Sequence, residues 1–151
     1  MLNKTFLSNI FVLDQEEALD FYVGTLGLEK RQDVDLGFMR WLTVGAPGDD
    51  RELLLEVPAS PPYDADSAAK LRELVSKGAA GGTFFQTDDA AGTYEALKAK
   101  NVEFTDELTE HFYGTDMGIR DPFGNSLRIS QLKSPEEIAA GPAPGEFGGP
   151  E

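Results

Sequence analysis

The sequence predicts an α+β protein made of two β-α-β-β-β modules in tandem. The order of predicted elements in the first half, one strand, one helix and three strands, returns in the second half. The helix starts at Asp14 and Asp88 have the same separation as Gly27-Leu28-Glu29 and Asn101-Val102-Glu103. The predicted organisation is a first module (1–58), a linker with a short helix (59–81), a second module (82–133) and a flexible tail (134–151).

The first module begins with a predicted strand over residues 5–13, which are rich in β-branched and aromatic side chains. Asp14 and Glu17 have the spacing of a capping box, so a helix begins there, and Gly27 is a natural C-terminal stop. Apolar residues between them recur at helical spacing. Three strands are predicted to follow, over 28–34, 38–44 and 52–57.

The middle of the chain reads as a connection, because residues 58–64 have the sequence PASPPYD. A short amphipathic helix is predicted after it, over residues 67–77. The second module then repeats the pattern, with predicted strands over 83–87, 102–105, 111–119 and 126–132 and a helix starting at Asp88-Asp89.

The last predicted strand separates two kinds of side chain. Leu127 and Ile129 alternate with Ser126, Arg128 and Ser130. Successive side chains of a strand point to opposite faces. We therefore expect one apolar face against the core and one polar face that is open to a ligand. From residue 134 on, the chain is rich in Pro, Gly and Glu, and no regular structure is predicted.

Composition excludes several functions. The chain has 151 residues, 13 Lys and Arg against 27 Asp and Glu, a net charge of −14, one His and no Cys. Without Cys there are no disulfides and no thiolate sites. The acidic excess disfavours nucleic-acid binding. We find no signal peptide and no apolar run long enough to cross a membrane, so we expect a cytoplasmic protein without a membrane partner.

Two motifs resemble those of a known family. They are LDQEEALDFYVGTLGLE in the first module and RDPFGNSLRIS in the second. At this separation they are similar to the vicinal oxygen chelate superfamily, which includes glyoxalase I, extradiol dioxygenases and bleomycin-resistance proteins. The resemblance covers roughly residues 5–132. It implies that the modules form the halves of a cupped mixed sheet around a ligand cavity, within one chain or across a homodimer.

The resemblance also implies four positions for metal ligands, and this chain fills them poorly. Family metalloenzymes use His or Gln and Glu there. Here the positions fall at Leu7, Glu56, Gly82 (or Gly81) and Arg128. Leu and Gly offer no donor atom and Arg is a permanent cation. We therefore predict no metal ligand and no cofactor, and a divalent metal is disfavoured.

The polar residues at these positions suggest another arrangement. We hypothesise that Glu56 and Arg128 pair where a metal would otherwise sit, or that they are two solvated residues at strand ends. Asn9 and Phe11 share the strand parity of Leu7, and they would face the ligand if Leu7 does.

Other candidates come from residue type and position. His111 is the only imidazole, so it and Glu56 are the candidate catalytic residues, although a packing histidine is the simpler interpretation of His111. Trp41 and Tyr113 are candidates for an aromatic wall, or are core residues. The predicted ligand-binding residues are Asn9, Phe11, Trp41, Glu56, Tyr113 and Arg128.

These observations favour metal-free binding of a small molecule, of the sequestering kind found in bleomycin-resistance proteins. One alternative is an enzyme, either a metal-dependent lyase or extradiol-type dioxygenase with unorthodox residues or a metal-free isomerase. Another is a scaffold protein that uses the dimer surface. The ligand itself is not predicted.

Overall fold

The computed structural model describes residues 1–142. Two compact units divide the chain: unit 1 comprises residues 1–82 with 122–125, and unit 2 comprises 83–121 and the chain from Ser126 on. Unit 1 contains β1 (Leu7–Phe11), α1 (Gln15–Leu19), β2 (Glu29–Asp35), β3 (Arg40–Gly45), β4 (Glu52–Glu56) and α2 (Ala65–Ser76). Unit 2 contains β5 (Gly82–Gln86), α3 (Ala90–Ala99), β6 (Phe104–His111), β7 (Gly114–Arg120), β8 (Ser126–Leu132) and α4 (Pro135–Ala140).

Each unit is built on a mixed four-stranded sheet, and the two strand orders correspond. The order is β1-β4-β3-β2 in one sheet and β5-β8-β7-β6 in the other. In unit 1, β1 runs parallel to β4 while β2, β3 and β4 are antiparallel neighbours. The predicted α+β class and the repeated element order are therefore confirmed.

One face of each sheet carries the core. In unit 1, Ile10, Leu42, Val44 and Leu55 are buried on the face that the helices cover. In unit 2, the corresponding buried residues are Met117, Ile119, Leu127 and Ile129. The predicted alternation of β8 is confirmed, because Leu127 and Ile129 are core residues and Arg128 lies on the other face.

The first helix begins as predicted and then changes its winding. The Asp14 side chain accepts a hydrogen bond from the Glu17 backbone at 2.9 Å, and Gly27 ends the segment at φ 79°. Between them, Asp20–Thr25 forms a π-helix, which the sequence did not predict. The wider turn lets two adjacent rings, Phe21 and Tyr22, both enter the core in an edge contact.

The prediction for the second and third strands of the second module was wrong in its bounds. The predicted strands 102–105 and 111–119 left residues 106–110 outside any strand, but β6 runs through them to His111. Three of these residues, Asp106, Glu107 and Glu110, are acidic and poor strand formers, and pairing with β7 decides their conformation. The chain then turns at residues 112–113. Gly114 follows because a Cβ there would lie 2.2 Å from the Gln131 carbonyl oxygen.

The tail also contains structure that the sequence analysis did not predict. Ser134 and Glu137 form a reciprocal capping box, and α4 follows from Pro135 to Ala140. The rest of the predicted flexible tail, from residue 143, lies outside the described residues. No helix in residues 1–142 is long and apolar enough to cross a membrane.

Candidate functional site

The face of the first sheet opposite the helices carries a set of polar side chains. Strand register places Asn9 beside Leu54 and Phe11 beside Glu56, and it pairs Thr43 with Leu54. These residues therefore share one face of the sheet. Trp41 lies on this face two residues along β3 from Thr43, and it is paired with Val34.

Glu56 is the buried carboxylate on this face. It is the last residue of β4 and only 8% exposed. Its Oε1 accepts a hydrogen bond from Asn9 Nδ2 at 3.2 Å, and its Oε2 accepts one from the Tyr63 hydroxyl at 3.0 Å. Both donors are neutral, and no Lys, Arg or His of unit 1 forms a salt bridge with Glu56. The carboxylate therefore has hydrogen bonds within its own unit but no compensating charge.

Tyr63 connects this carboxylate to an aromatic pair. Its ring meets Phe11 edge to face, with centroids 5.9 Å apart. Burial raises the pKa of the Tyr63 phenol, and the hydrogen bond to Glu56 adds to the effect. The hydroxyl consequently stays protonated and remains a donor.

A second carboxylate on the same face, Glu52, is held differently. It accepts hydrogen bonds from the side chains of Thr43 and Gln32. These bonds hold the pKa of Glu52 below its ordinary value, with Thr43 contributing most. Glu52 is half-buried and not fully buried, so it is less costly to leave without a charged partner.

In unit 2, the polar face of the sheet is organised around Asp116, which is 1% exposed. Arg128 makes a bidentate contact with it, from Nε to Oδ2 at 3.1 Å and from Nη2 to Oδ1 at 3.0 Å. The Tyr113 hydroxyl donates to Oδ2 at 2.6 Å, and His111 Nε2 lies 3.0 Å from Oδ1. Arg128 also donates from Nη1 to Asp106 at 2.8 Å. Asp116 is therefore surrounded by donors.

The pKa values of this cluster follow from these contacts. Burial acts to raise the pKa of Asp116, but the hydrogen bonds from Arg128 and Tyr113 outweigh it and the pKa lies below its ordinary value. The hydrogen bonds to Asp116 raise the pKa of Arg128. Burial, together with the hydrogen bond to Asp116, raises the pKa of Tyr113 to about 12.

Gly118 makes room for this cluster. It is paired with Arg128 on β8 and with Asp106 on β6. A Cβ at this position would lie 2.4 Å from the Thr105 hydroxyl and 2.7 Å from Asp106 Oδ2. The absence of a side chain thus allows Arg128 to reach both carboxylates.

The predicted site residues fall into two groups. Asn9, Phe11 and Glu56 come together around Tyr63, with Trp41 on the same face. His111, Tyr113 and Arg128 come together around Asp116. The roles predicted for these residues, and the pairing of Glu56 with Arg128, stay predictions. Each of those two charged residues has hydrogen-bond partners in its own unit.

The sequence analysis missed Tyr63, Asp106 and Asp116. Tyr63 lies in the segment that reads as a linker, and Asp106 lies between two predicted strands. Asp116 could have been noticed, because it is a lone charge between Gly114 and Gly118 in an otherwise buried strand. Which donors surround it could not have been inferred from that pattern.

The four positions implied for metal ligands do not suit a metal ion. Leu7 and Gly82 supply no donor atom, and Arg128 is a cation already bound to two carboxylates. Residues 1–142 contain no group of three or more His, Cys, Asp or Glu side chains arranged to hold an ion. The residues present therefore do not fit the metal of the family's enzymes.

Comparison with known proteins identifies relatives that align with this chain over nearly their whole length. The protein YurT of Bacillus subtilis (strain 168) is 35% identical over 130 residues, covering 85% of this chain and 98% of its own. The crystal structure of UcmS2 superposes with a TM-score of 0.81 at 34% identity, covering 86% of this chain and 98% of that one. The structure of TnmS3, an antibiotic binding protein from Streptomyces sp. CB03234, has a TM-score of 0.71 at 26% identity, covering 87% and 98%.

The model of one protein family matches most of the chain, over residues 4–129. The sheets and strand order agree with the fold of these relatives. The family resemblance seen in the sequence motifs is thereby confirmed. The chain belongs to the Glyoxalase/Bleomycin resistance protein/Dioxygenase superfamily.

Proposed function

We propose that this protein binds a small molecule without a metal ion and sequesters it, and that Glu56 anchors a cationic group of the ligand. The observation that carries the proposal is the state of Glu56, which is 8% exposed and hydrogen-bonded only to neutral donors of unit 1. A buried carboxylate without a compensating charge is costly. A ligand ammonium or amidinium group would supply that charge.

The surroundings of Glu56 support a ligand that is also partly aromatic. The Phe11 and Tyr63 rings lie beside the carboxylate, and Trp41 shares the face. Aromatic faces attract cations and stack on planar groups. The similarity to TnmS3, an antibiotic binding protein at 26% identity, supports a small-molecule ligand for this fold.

Binding measurements on metal-free protein test the proposal. Protein dialysed against EDTA is titrated with metal-free bleomycin and with the cationic dye proflavine, and uncharged acridone serves as the comparison compound. We expect saturable binding of a cationic compound, weakened roughly tenfold or more in E56Q because a charge-assisted contact is lost. E17Q removes the same charge from an exposed helix position and is the matched control.

Three results would contradict the proposal. Equal affinity of E56Q and the unsubstituted protein would remove Glu56 as the anchor. Stoichiometric Zn, Ni, Fe or Mn in the purified protein would contradict the metal-free assignment. Turnover of the methylglyoxal–glutathione adduct would favour the enzyme alternative.

We also propose that the protein is a cytoplasmic homodimer. The exposed apolar residues Val34, Leu36 and Phe38, at the end of the β2–β3 hairpin, support the dimer, because a second copy could cover them. Sedimentation equilibrium tests it, with a dimer expected for the unsubstituted protein. A monomer at tens of micromolar would contradict it, and F38S is expected to weaken association.

A further inference from the structure

The contacts of Asp116 favour one of the two ring nitrogens of His111 as the carrier of its proton. Asp116 Oδ1 receives Arg128 Nη2 and lies 3.0 Å from His111 Nε2, while Oδ2 receives Tyr113 and Arg128 Nε. A carboxylate held by a bidentate guanidinium is an acceptor only. A nitrogen lone pair 3.0 Å from this carboxylate would be repelled, so we expect the hydrogen to lie on Nε2.

The other ring nitrogen is then available as an acceptor. In a neutral imidazole with Nε2–H, the lone pair lies on Nδ1. In the described part of unit 2, the contacts of His111 are the one through Nε2 and a stack on the Tyr113 ring, with centroids 5.1 Å apart and an angle of 3° between the rings. These two contacts fix the ring in position and leave Nδ1 without a partner.

The charge of the cluster favours an acceptor role. Asp106 and Asp116 carry two negative charges against the one positive charge of Arg128. The cluster with a neutral imidazole thus has a net charge of −1, which opposes the approach of an anion and leaves a neutral donor as the favoured ligand group. The His111 side chain is 12% exposed, whereas that of Asp116 is 2% exposed, so of these two residues the imidazole is the one that can meet a ligand.

We propose that His111 Nδ1 accepts a hydrogen bond, and where the donor is acidic enough its proton, from a neutral hydroxyl of phenolic type on a bound small molecule. In the proton-transfer limit, the ligand O–H bond breaks and an N–H bond forms at Nδ1, which leaves a phenolate and an imidazolium. Asp116 is the positioning residue, because it acts through His111. This site lies in unit 2 and does not depend on Glu56, so either proposal can fail without the other.

The single histidine makes the tautomer directly measurable. Long-range ¹H–¹⁵N correlation spectra of the ¹⁵N-labelled protein are recorded at about pH 8.5, above the ordinary range for imidazole titration. We expect one imidazole spin system with the proton on Nε2. D106N leaves the Asp116–His111 contact in place and is expected to keep this tautomer. D116N is expected to lose the strong preference for the proton on Nε2. A proton on Nδ1 in the unsubstituted protein would overturn the proposal.

The ligand step is tested with 4-nitrophenol, and nitrobenzene is the matched compound without the hydroxyl. We expect 4-nitrophenol to shift the Nδ1 resonance saturably and nitrobenzene to leave it in place. H111Q retains an amide that can donate to Asp116, and we expect it to fold and to bind 4-nitrophenol roughly tenfold more weakly, since one hydrogen bond is lost. An unchanged Nδ1 resonance, or equal affinity in H111Q, would show that His111 is only structural and would overturn the proposal.

Discussion

Unit 1 and unit 2 each hold a buried carboxylate on the polar face of a four-stranded sheet, and each gives it a tyrosine hydroxyl. Tyr63 donates to Glu56 in unit 1, and Tyr113 donates to Asp116 in unit 2. The remaining partners differ. Asn9 completes the contacts of Glu56, whereas the guanidinium of Arg128 completes those of Asp116.

This difference separates two kinds of polar site. A buried carboxylate paired with a guanidinium is neutralised inside its own unit, and its partners are then fixed in position. A buried carboxylate paired with an amide and a phenol keeps its charge available to a ligand. The cluster in unit 2 thus resembles a structural element with one free acceptor at His111, while the Glu56 site of unit 1 has the chemistry of an anchor for a cation.

The largest effect is expected from removing the charged partner in unit 2. R128Q leaves Asp116 buried without a cation, and we expect the free energy of unfolding to fall by about 2–4 kcal/mol. The matched variant in unit 1 is R40Q, which removes an exposed ion pair with Asp33 and Glu16, and its loss is expected to be clearly smaller. Urea unfolding measures both. Equal losses would remove the distinction between the two kinds of contact.

The next largest expected effect is the difference in stability loss between substitutions of Asp116 and Glu56. D116N places amide hydrogens against Arg128, and we expect a loss of about 2–3 kcal/mol. E56Q faces only neutral partners, and its loss is expected to stay within about 1 kcal/mol. Thermal and urea unfolding measure the two variants. If E56Q were the more destabilising of the two, Glu56 would be a structural residue and a poor candidate for a ligand anchor.

A smaller stability loss is expected when the space beside the Asp116 cluster is filled. G118A brings a methyl group against Thr105 and Asp106, and we expect a loss of about 1–2 kcal/mol together with a changed His111 spectrum. The control is G24A, where a Cβ meets no atom within 4 Å. Alanine there is expected to leave stability unchanged or to raise it slightly, since it lies in a helical segment. An unchanged free energy of unfolding in G118A would show that Arg128 does not need this space.

The smallest expected effect is on the free energy of unfolding at alkaline pH. The folded pKa of Tyr113 is raised from 10.0 to about 12, so between these values the unfolded chain releases the phenolic proton while the folded chain keeps it. Stability contributed by this tyrosine is therefore complete below pH 10 and is lost as the pH rises toward 12. We expect Y113F to flatten this decline by about 1 kcal/mol, an amount reduced for the partly solvated ring.

Urea unfolding at several pH values measures the alkaline effect. The matched control is Y94F, a tyrosine of the same unit whose ring packs on Phe104. It is expected to show the same decline as the unsubstituted protein. A decline that is equal in Y113F would mean that the hydrogen bond to Asp116 does not hold the phenol in its protonated form.

Local signals predicted most of the fold. The Asp14 cap and the Gly27 stop placed the first helix, and alternation in β8 placed Leu127 and Ile129 in the core. Each of these depends on residues that are near one another in the chain. The middle of β6 escaped prediction because its acidic residues have low strand propensity, and its conformation comes from pairing with β7.

The candidate sites could be predicted only in part. Strand parity indicated that Asn9, Phe11 and Glu56 share a face, since side-chain direction follows from position along a strand. The partners of Glu56 and Arg128 could not be predicted in this way. Tyr63 reaches Glu56 from an irregular segment, and Asp116 meets Arg128 through the register of two strands.

The sequence by itself determined the repeated α+β architecture, the family, and the lack of donor side chains at Leu7 and Gly82, two of the family's four metal positions, because each depends on residue type and local order. Only the tertiary structure decided how each buried charge is held. Burial and the approach of residues from other strands set whether a carboxylate meets a guanidinium or neutral donors. Those distances follow from strand register and from the space left at Gly118, neither of which local sequence specifies.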